Sequence, residues 1–224
     1  MKPFKAVLFD LDGTLLDSAP DLVASLNWVR QSEQLAPLPV EEMSQYASKG
    51  ALGLLNAGMP ATDADTLESW RLLFLEHYAK NSYRESRLYD GIPELLEYLA
   101  ESGISWGIVT NKIESLTFPI IKAADLDGII GCVVCGDTLA ESKPHPAPVQ
   151  FACQKLGVNP RDTLFVGDDI RDIQAGHAAG TSTAAVYYGY GSAELADESI
   201  GASLHIHHPG ELLEAVKPES DFLT

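Results

Sequence analysis

A short apolar run, Ala6-Val7-Leu8-Phe9, leads directly into Asp10 and Asp12, which are separated by one leucine, and then into Gly13. A strand with no polar alternation is buried on both faces, the pattern of a parallel sheet covered by helices. At about 3.3 Å per residue the two aspartates share a face and start only ~7 Å apart. Gly13 lets the backbone turn, and Thr14 comes next with a hydroxyl and an amide.

From Gly91 onward, helices and short apolar strands alternate. Helical segments are expected from Ile92, over Glu114 to Ala124, over Ala147 to Leu156 and over Ile170 to Ala179. Strands are expected at Ser105 to Val109, Ile129 to Cys135, Thr163 to Val166 and Thr183 to Val186. This alternation predicts an α/β fold with a Rossmann-like parallel sheet and helices on both faces. The intervening stretch is different. Ser18-Ala19-Pro20-Asp21 reads as a helix start, and Leu22, Leu26 and Val29, then Leu67, Trp70, Phe74 and Tyr78, recur at helical spacing. Between Asp17 and Tyr89 no strand is evident, so a helical insertion is expected there.

In an open parallel sheet the reactive site lies beyond the carboxyl ends of the strands. Just past the ends of the expected strands stand Asp10 and Asp12, Thr110 and Asn111, Gly136 and Asp137, and Asp168 and Asp169, with Lys143 in the loop after Cys135. Carboxylates gathered at one edge repel each other: at an effective dielectric of roughly 20, two charges about 4 Å apart interact by about 4 kcal/mol. A hard divalent cation relieves this, and Mg²⁺ suits one or two carboxylates, waters and a substrate phosphate.

Composition narrows the partners. With 46% apolar and 21% charged residues the 224-residue chain has a globular balance, and its 32 acidic against 15 basic residues give a net charge of −17. That field disfavours nucleic acid and anionic membrane surfaces, so an anionic substrate needs local cations. Lys2 and Lys5 before the first strand imitate a signal peptide, but Asp10 and Asp12 cut the apolar run short, and no run approaches the ~20 residues of a membrane span. Three cysteines suggest reduced thiols and a cytoplasmic location.

Together, FDLDGTLLD, the strand-terminal Val109-Thr110-Asn111, the Ser142-Lys143-Pro144 loop and VGDDIRD at Val166 to Asp172 resemble the four motifs of the haloacid dehalogenase superfamily, in order and over essentially the whole chain. DGIPELL, GIVTNK, KPHPAP and VYYGYG resemble its phosphoglycolate phosphatase group, and FVGDDIRDIQAGHAAGT is similar to bacterial N-acetylmuramic acid 6-phosphate phosphatases. The resemblance implies a core domain of residues 1–16 and 90–224 and a helical cap of residues 17–89. It implies a Mg²⁺-dependent phosphomonoesterase in which Asp10 is the nucleophile, forming an aspartyl-phosphate, and Asp12 the general acid and base. Thr110 and the Asn111 amide would hold phosphoryl oxygens and Lys143 would neutralise charge. Asp10, the Asp12 carbonyl and Asp168 would bind the metal, with Asp169 and Asp172 behind them. Lys49 and Gly50 fall where related enzymes present a specificity loop to the substrate. The expected partner is a small phosphate ester, such as 2-phosphoglycolate or N-acetylmuramate 6-phosphate, and the expected assembly a monomer or homodimer. A sugar phosphomutase would keep every motif, a dehalogenase lacks the second aspartate, and a non-catalytic signalling module does not suit the late Asp168-Asp169 pair.

Three further patterns point to packing or loops. Cys132 and Cys135 have a metal-pair spacing but lie in an expected strand with no second pair. His205, His207 and His208 read as a polar face before a helix starting at Pro209, and Gly189-Tyr190-Gly191 as a loop bordering the site.

Overall fold

The computed structural model describes residues 4–191, 195 and 201–217. Lys2, with the rest of 1–3, 192–194, 196–200 and 218–224 of the expected core segments, lies outside that set. In chain order the elements are β1 (Ala6–Phe9), β2 (Leu16–Asp17), α1 (Ala19–Ser32), α2 (Val40–Met43), a 3₁₀ turn (Ser44–Lys49), α3 (Gly50–Gly58), α4 (Ala64–Asn81) and β3 (Arg87–Leu88). Then come α5 (Ile92–Glu101), β4 (Ser105–Val109), α6 (Glu114–Ala123), β5 (Cys132–Val134), α7 (Ala147–Leu156), β6 (Thr163–Gly167), α8 (Ile170–Ala179), β7 (Ser182–Val186), β8 (Leu204–Ile206) and α9 (Pro209–Val216).

Six strands form one parallel sheet in the order β5-β4-β1-β6-β7-β8. β1 lies centrally, and Phe9 pairs with Ile108 on one side and Val166 on the other. That register brings the carboxyl ends of β1, β4 and β6 level, so Asp10, Thr110 and Asp168 emerge together. Alternate residues feed opposite layers, as the pleat requires. Val7, Phe9, Trp106, Ile108, Leu164 and Val166 pack with α5, α6 and α9, whereas Leu8, Val109 and Phe165 pack with α7 and α8. All four β1 residues are essentially inaccessible, which is why the run carries no polar residue.

The helical insertion has its own apolar contacts. Leu22, Leu26 and Val29 of α1 meet Leu54 and Leu55 of α3 and Trp70, Phe74 and Tyr78 of α4, the faces expected from their spacing, in one continuous cluster with the β1 side of the core. The structure corrects one expectation: a short antiparallel ribbon, Leu16–Asp17 against Arg87–Leu88, forms where no strand was read. Two-residue strands have no alternation to detect; tertiary pairing makes them. The buried Asp21 carboxylate reinforces this neck by accepting from the amides of Arg84, Glu85 and Ser86 and from Ser86 Oγ. A second correction concerns β5, which is shorter than Ile129 to Cys135. The amides of Ile129 and Ile130 both turn back to the Leu126 carbonyl, leaving Ile129 half exposed.

Candidate active site

The end of β1 is continued by one more sheet bond, from Asp10 N to the Val166 carbonyl, which fixes the Asp10 backbone beside β6. Its Oδ1 accepts from Leu11 N at 2.8 Å and lies 2.8 Å from Lys143 Nζ. Lys143 is itself buried, and its ammonium also reaches Asp172 Oδ1 at 2.7 Å and the Val109 carbonyl at 2.8 Å. Burial alone would lower its pKa, but Asp10 and Asp172 outweigh that and hold it above the usual lysine range. Asn111 fixes the Lys143 loop from the end of β4: its Nδ2 donates to the Lys143 carbonyl and its Oδ1 accepts from Lys143 N. Gly136 makes this approach feasible, because a Cβ there would stand 2.2 Å from the Asn111 carbonyl oxygen.

Asp12 is held by a different set. Its Oδ1 accepts from Ser18 Oγ at 2.5 Å and from Lys112 Nζ at 2.7 Å. Lys112 also donates to the hydroxyl of Tyr78, on α4 of the insertion, at 2.7 Å, and Ser18 Oγ shares a hydrogen bond with Tyr190. Burial opposes charge on Lys112, but Asp12 and Tyr78 raise its pKa overall; burial pushes the Tyr78 hydroxyl up to about 12.

Asp168 lies just after β6 and is enclosed by glycines. Its Oδ1 accepts from Thr14 Oγ1 at 3.1 Å and its Oδ2 from Gly191 N at 2.8 Å. Gly13, at φ +82°, passes so close that a Cβ would lie 2.1 Å from Asp168 Oδ2, and a Cβ on Gly189 would lie 2.1 Å from the Gly13 carbonyl oxygen. Ligand oxygens of Asp10, Asp168 and Asp172 all lie within 4.8 Å of one another, all three residues buried. Burial, then Asp10 and Asp172, push the Asp168 carboxyl well above the carboxylate range. Burial also lifts Asp172, to about 7, with Lys143 opposing and Asp10 adding. Hard oxygen donors, tightly grouped and electrostatically unfavourable without a cation, fit a divalent ion such as Mg²⁺. Asp169 takes another part: it caps α8 and pairs with Arg171, whose bonds outweigh burial and lower its pKa.

These groups form the floor of a cavity of about 360 Å³. The insertion supplies its roof, including Ser48, Lys49, Gly50, Leu52, Arg71, Phe74 and Tyr78. Arg171 joins the two parts, since Nη2 donates at 2.7 Å to the carbonyl of Ser48, next to Lys49.

The structure therefore gathers Asp10, Asp12, Thr110, Asn111, Lys143, Asp168, Asp169 and Asp172 around one cavity, with Lys49 and Gly50 on its opposite wall. Asp137 stands apart and accepts from Glu114 N at the start of α6. Sequence reasoning missed Lys112, Ser18, Arg171 and Arg71. Lys112 lies within GIVTNK and Arg171 within VGDDIRD, which was the available signal; Asp12, Tyr78 and Ser48, which they reach, are distant in sequence. Gly189-Tyr190-Gly191 does border the site. Cys132 and Cys135 are free thiols whose pKa burial raises, and His208 caps α9 by accepting from Gly210 N. His205 and His207 stack on Tyr187. Among the described residues Asp10, Asp168 and Asp172 are the one group able to hold a metal, and no helix there is long and apolar enough to cross a membrane.

A sequence model of the haloacid dehalogenase-like hydrolase family matches residues 7–186. The chain belongs to the haloacid dehalogenase-like hydrolase family. Among its relatives, an N-acetylmuramic acid 6-phosphate phosphatase of Pseudomonas aeruginosa is 41% identical over 213 residues, 95% of this chain and 94% of that protein. A phosphoglycolate phosphatase of Nitrosospira multiformis is 39% identical over 193 residues, 84% of this chain and 85% of that protein. The crystal structure of a predicted phosphoglycolate phosphatase from Haemophilus somnus superposes with a TM-score of 0.85 at 31% identity, covering 97% of this chain and all of that one. This haloacid dehalogenase-like hydrolase has the parallel-sheet fold of its family and is an enzyme of the phosphatase class.

Proposed function

We propose that this hydrolase cleaves the phosphomonoester of a small carboxylated metabolite, with N-acetylmuramate 6-phosphate as the first candidate. The observation that carries the reading is the pairing of Asp10 with Lys143 beside Asp168 and Asp172, at the floor of a cavity roofed by the insertion. Asp10 attacks phosphorus while the bond to the leaving oxygen breaks and Asp12 gives that oxygen a proton. The aspartyl-phosphate is then cleaved by water, whose proton returns to Asp12, and inorganic phosphate leaves. Lys143 offsets the negative charge that opposes attack on a phosphate dianion, and Thr110 and the Asn111 amide hold phosphoryl oxygens. The Asp10 carboxylate, the Asp12 carbonyl and Asp168 would hold Mg²⁺, with Asp169 and Asp172 supporting; bound there, the ion would screen the phosphoryl charge.

Residues 17–89 act in this reading as a cap that excludes bulk water and large substrates. Its lining favours an amino-sugar acid over 2-phosphoglycolate. Leu22, Ala51, Leu52, Phe74 and Leu75 offer apolar surface to a substrate's acetyl and lactyl methyl groups, whereas phosphoglycolate has one methylene to bury. Phosphoglycolate is the second reading, supported by the Nitrosospira multiformis relative. Lys49 and Gly50 contact the end of the substrate away from phosphorus. We place the enzyme in the cytoplasm as a monomer or homodimer. Release of inorganic phosphate from a panel of sugar, amino-sugar and two-carbon phosphates with Mg²⁺ tests the proposal: preference for the amino-sugar acid supports it, and no turnover of any ester rejects it.

A further inference from the structure

Lys112 is buried beside the site and, although it closes the GIVTNK segment, has no part in the reaction proposed above. It lies two residues beyond Thr110, at the start of the loop after β4, and its ammonium has partners on both sides of the cavity: Asp12 in the core and the Tyr78 hydroxyl on the insertion. Ser18, at the start of α1, donates to the same Asp12 oxygen. A carboxyl oxygen has two lone-pair directions, so two donors occupy Oδ1 fully. Neither bond involves Oδ2. A proton carried by Asp12 must then reside on Oδ2, and the carboxyl plane is fixed by two bonds to one side.

We propose that Lys112 is a positioning residue for proton transfer: with Ser18 it engages Oδ1 of Asp12, so that Oδ2 alone delivers the proton to the leaving oxygen, and through Tyr78 it ties that alignment to the seated insertion. As the phosphorus–oxygen bond breaks, the proton passes from Asp12 Oδ2 to the departing alkoxide. The carboxylate left behind faces an ammonium at 2.7 Å, and Lys112 keeps its own protons throughout. The geometry required of an acid in flight is thereby set before substrate arrives.

This inference rests on the acid role proposed for Asp12, and the experiment separates the two. kcat/KM with Mg²⁺ is measured for an alkyl phosphate, glucose 6-phosphate or N-acetylmuramate 6-phosphate, and for p-nitrophenyl phosphate, whose leaving group departs without help. kcat/KM reports the steps through departure of the leaving group, so the alkyl-to-aryl ratio isolates proton donation. Asp12→Asn should lower that ratio by on the order of 10²–10⁴, the usual contribution of general acid catalysis. Lys112→Met should lower it in the same direction by about tenfold or more, and Ser18→Ala by a smaller factor. Because each ratio is taken within one variant, incomplete folding cancels; if Lys112→Met gives no soluble protein, Ser18→Ala carries the test. An unchanged ratio in Asp12→Asn overturns the acid assignment. A lowered ratio in Asp12→Asn with equal losses for both esters in Lys112→Met and Ser18→Ala overturns the positioning role alone, and assigns Lys112 to phosphate binding or to packing.

Discussion

The Lys143 ammonium lies 2.8 Å from Oδ1 of Asp10 although β4 and β5 intervene between the two residues in sequence, and the side chains of both are almost wholly withdrawn from solvent. Replacing Lys143 by Met leaves Asp10 and Asp172 without their shared ammonium. The metal-free variant is expected to lose ~3 kcal/mol of stability in urea denaturation, because removing one partner strands buried charge. Phosphatase kcat should fall by on the order of 10²–10³. A variant as active as the parent would contradict the role given to Lys143.

Metal and protons should compete at this site. The folded-state value of Asp172, about 7, stands above its ordinary value of 3.8, and Asp168 is shifted the same way. The native state therefore binds more protons than the unfolded chain across that interval. The stability this contributes is full below about pH 4 and is lost as pH rises through about 7. A cation removes the cause of the loss. The rise in melting temperature on adding saturating Mg²⁺ is predicted to be larger near about pH 8 than near about pH 5, measured by scanning fluorimetry. An equal rise at both values would count against a cation held by Asp168 with Asp172 beside it.

Gly189→Ala probes the packing behind Asp168. The added methyl would stand 2.1 Å from the Gly13 carbonyl oxygen and 2.5 Å from Asp168 Cβ, so the loop must shift. We expect a loss of about 1–3 kcal/mol and a raised Mg²⁺ concentration for half-maximal activity. Titrating activity with Mg²⁺ in both proteins checks this.

Lys49→Ala tests the opposite wall. If Lys49 meets the substrate away from phosphorus, KM for the preferred metabolite should rise roughly tenfold, the loss of about one charged contact, with little change for p-nitrophenyl phosphate. Identical KM values for the metabolite would remove Lys49 from recognition.

The sequence was most readable where one residue type served one local demand. The apolar β1 run needed two buried faces, and its register against Ile108 and Val166 then aligned Asp10, Thr110 and Asp168 without further information. Asp172 is expected behind the metal, and its carboxylate comes close to those of Asp10 and Asp168 because Gly167 lets α8 approach β6 closely enough that a Cβ there would meet Asp172. Lys112, Ser18 and Tyr78 were illegible as a unit. Each is an ordinary residue in its own segment, and they acquire meaning only when the insertion folds back on the loop after β4. The Leu16–Asp17 ribbon was missed for the same reason: nothing local distinguishes a two-residue strand from a turn.

The most direct measurement is acid quenching of the enzyme during turnover, and then peptide mass spectrometry. A phosphoryl group should appear on Asp10 in the parent protein and be absent, with turnover abolished, in Asp10→Asn. Phosphorylation confined to another residue, or near-normal turnover by Asp10→Asn, would contradict covalent catalysis by this aspartate.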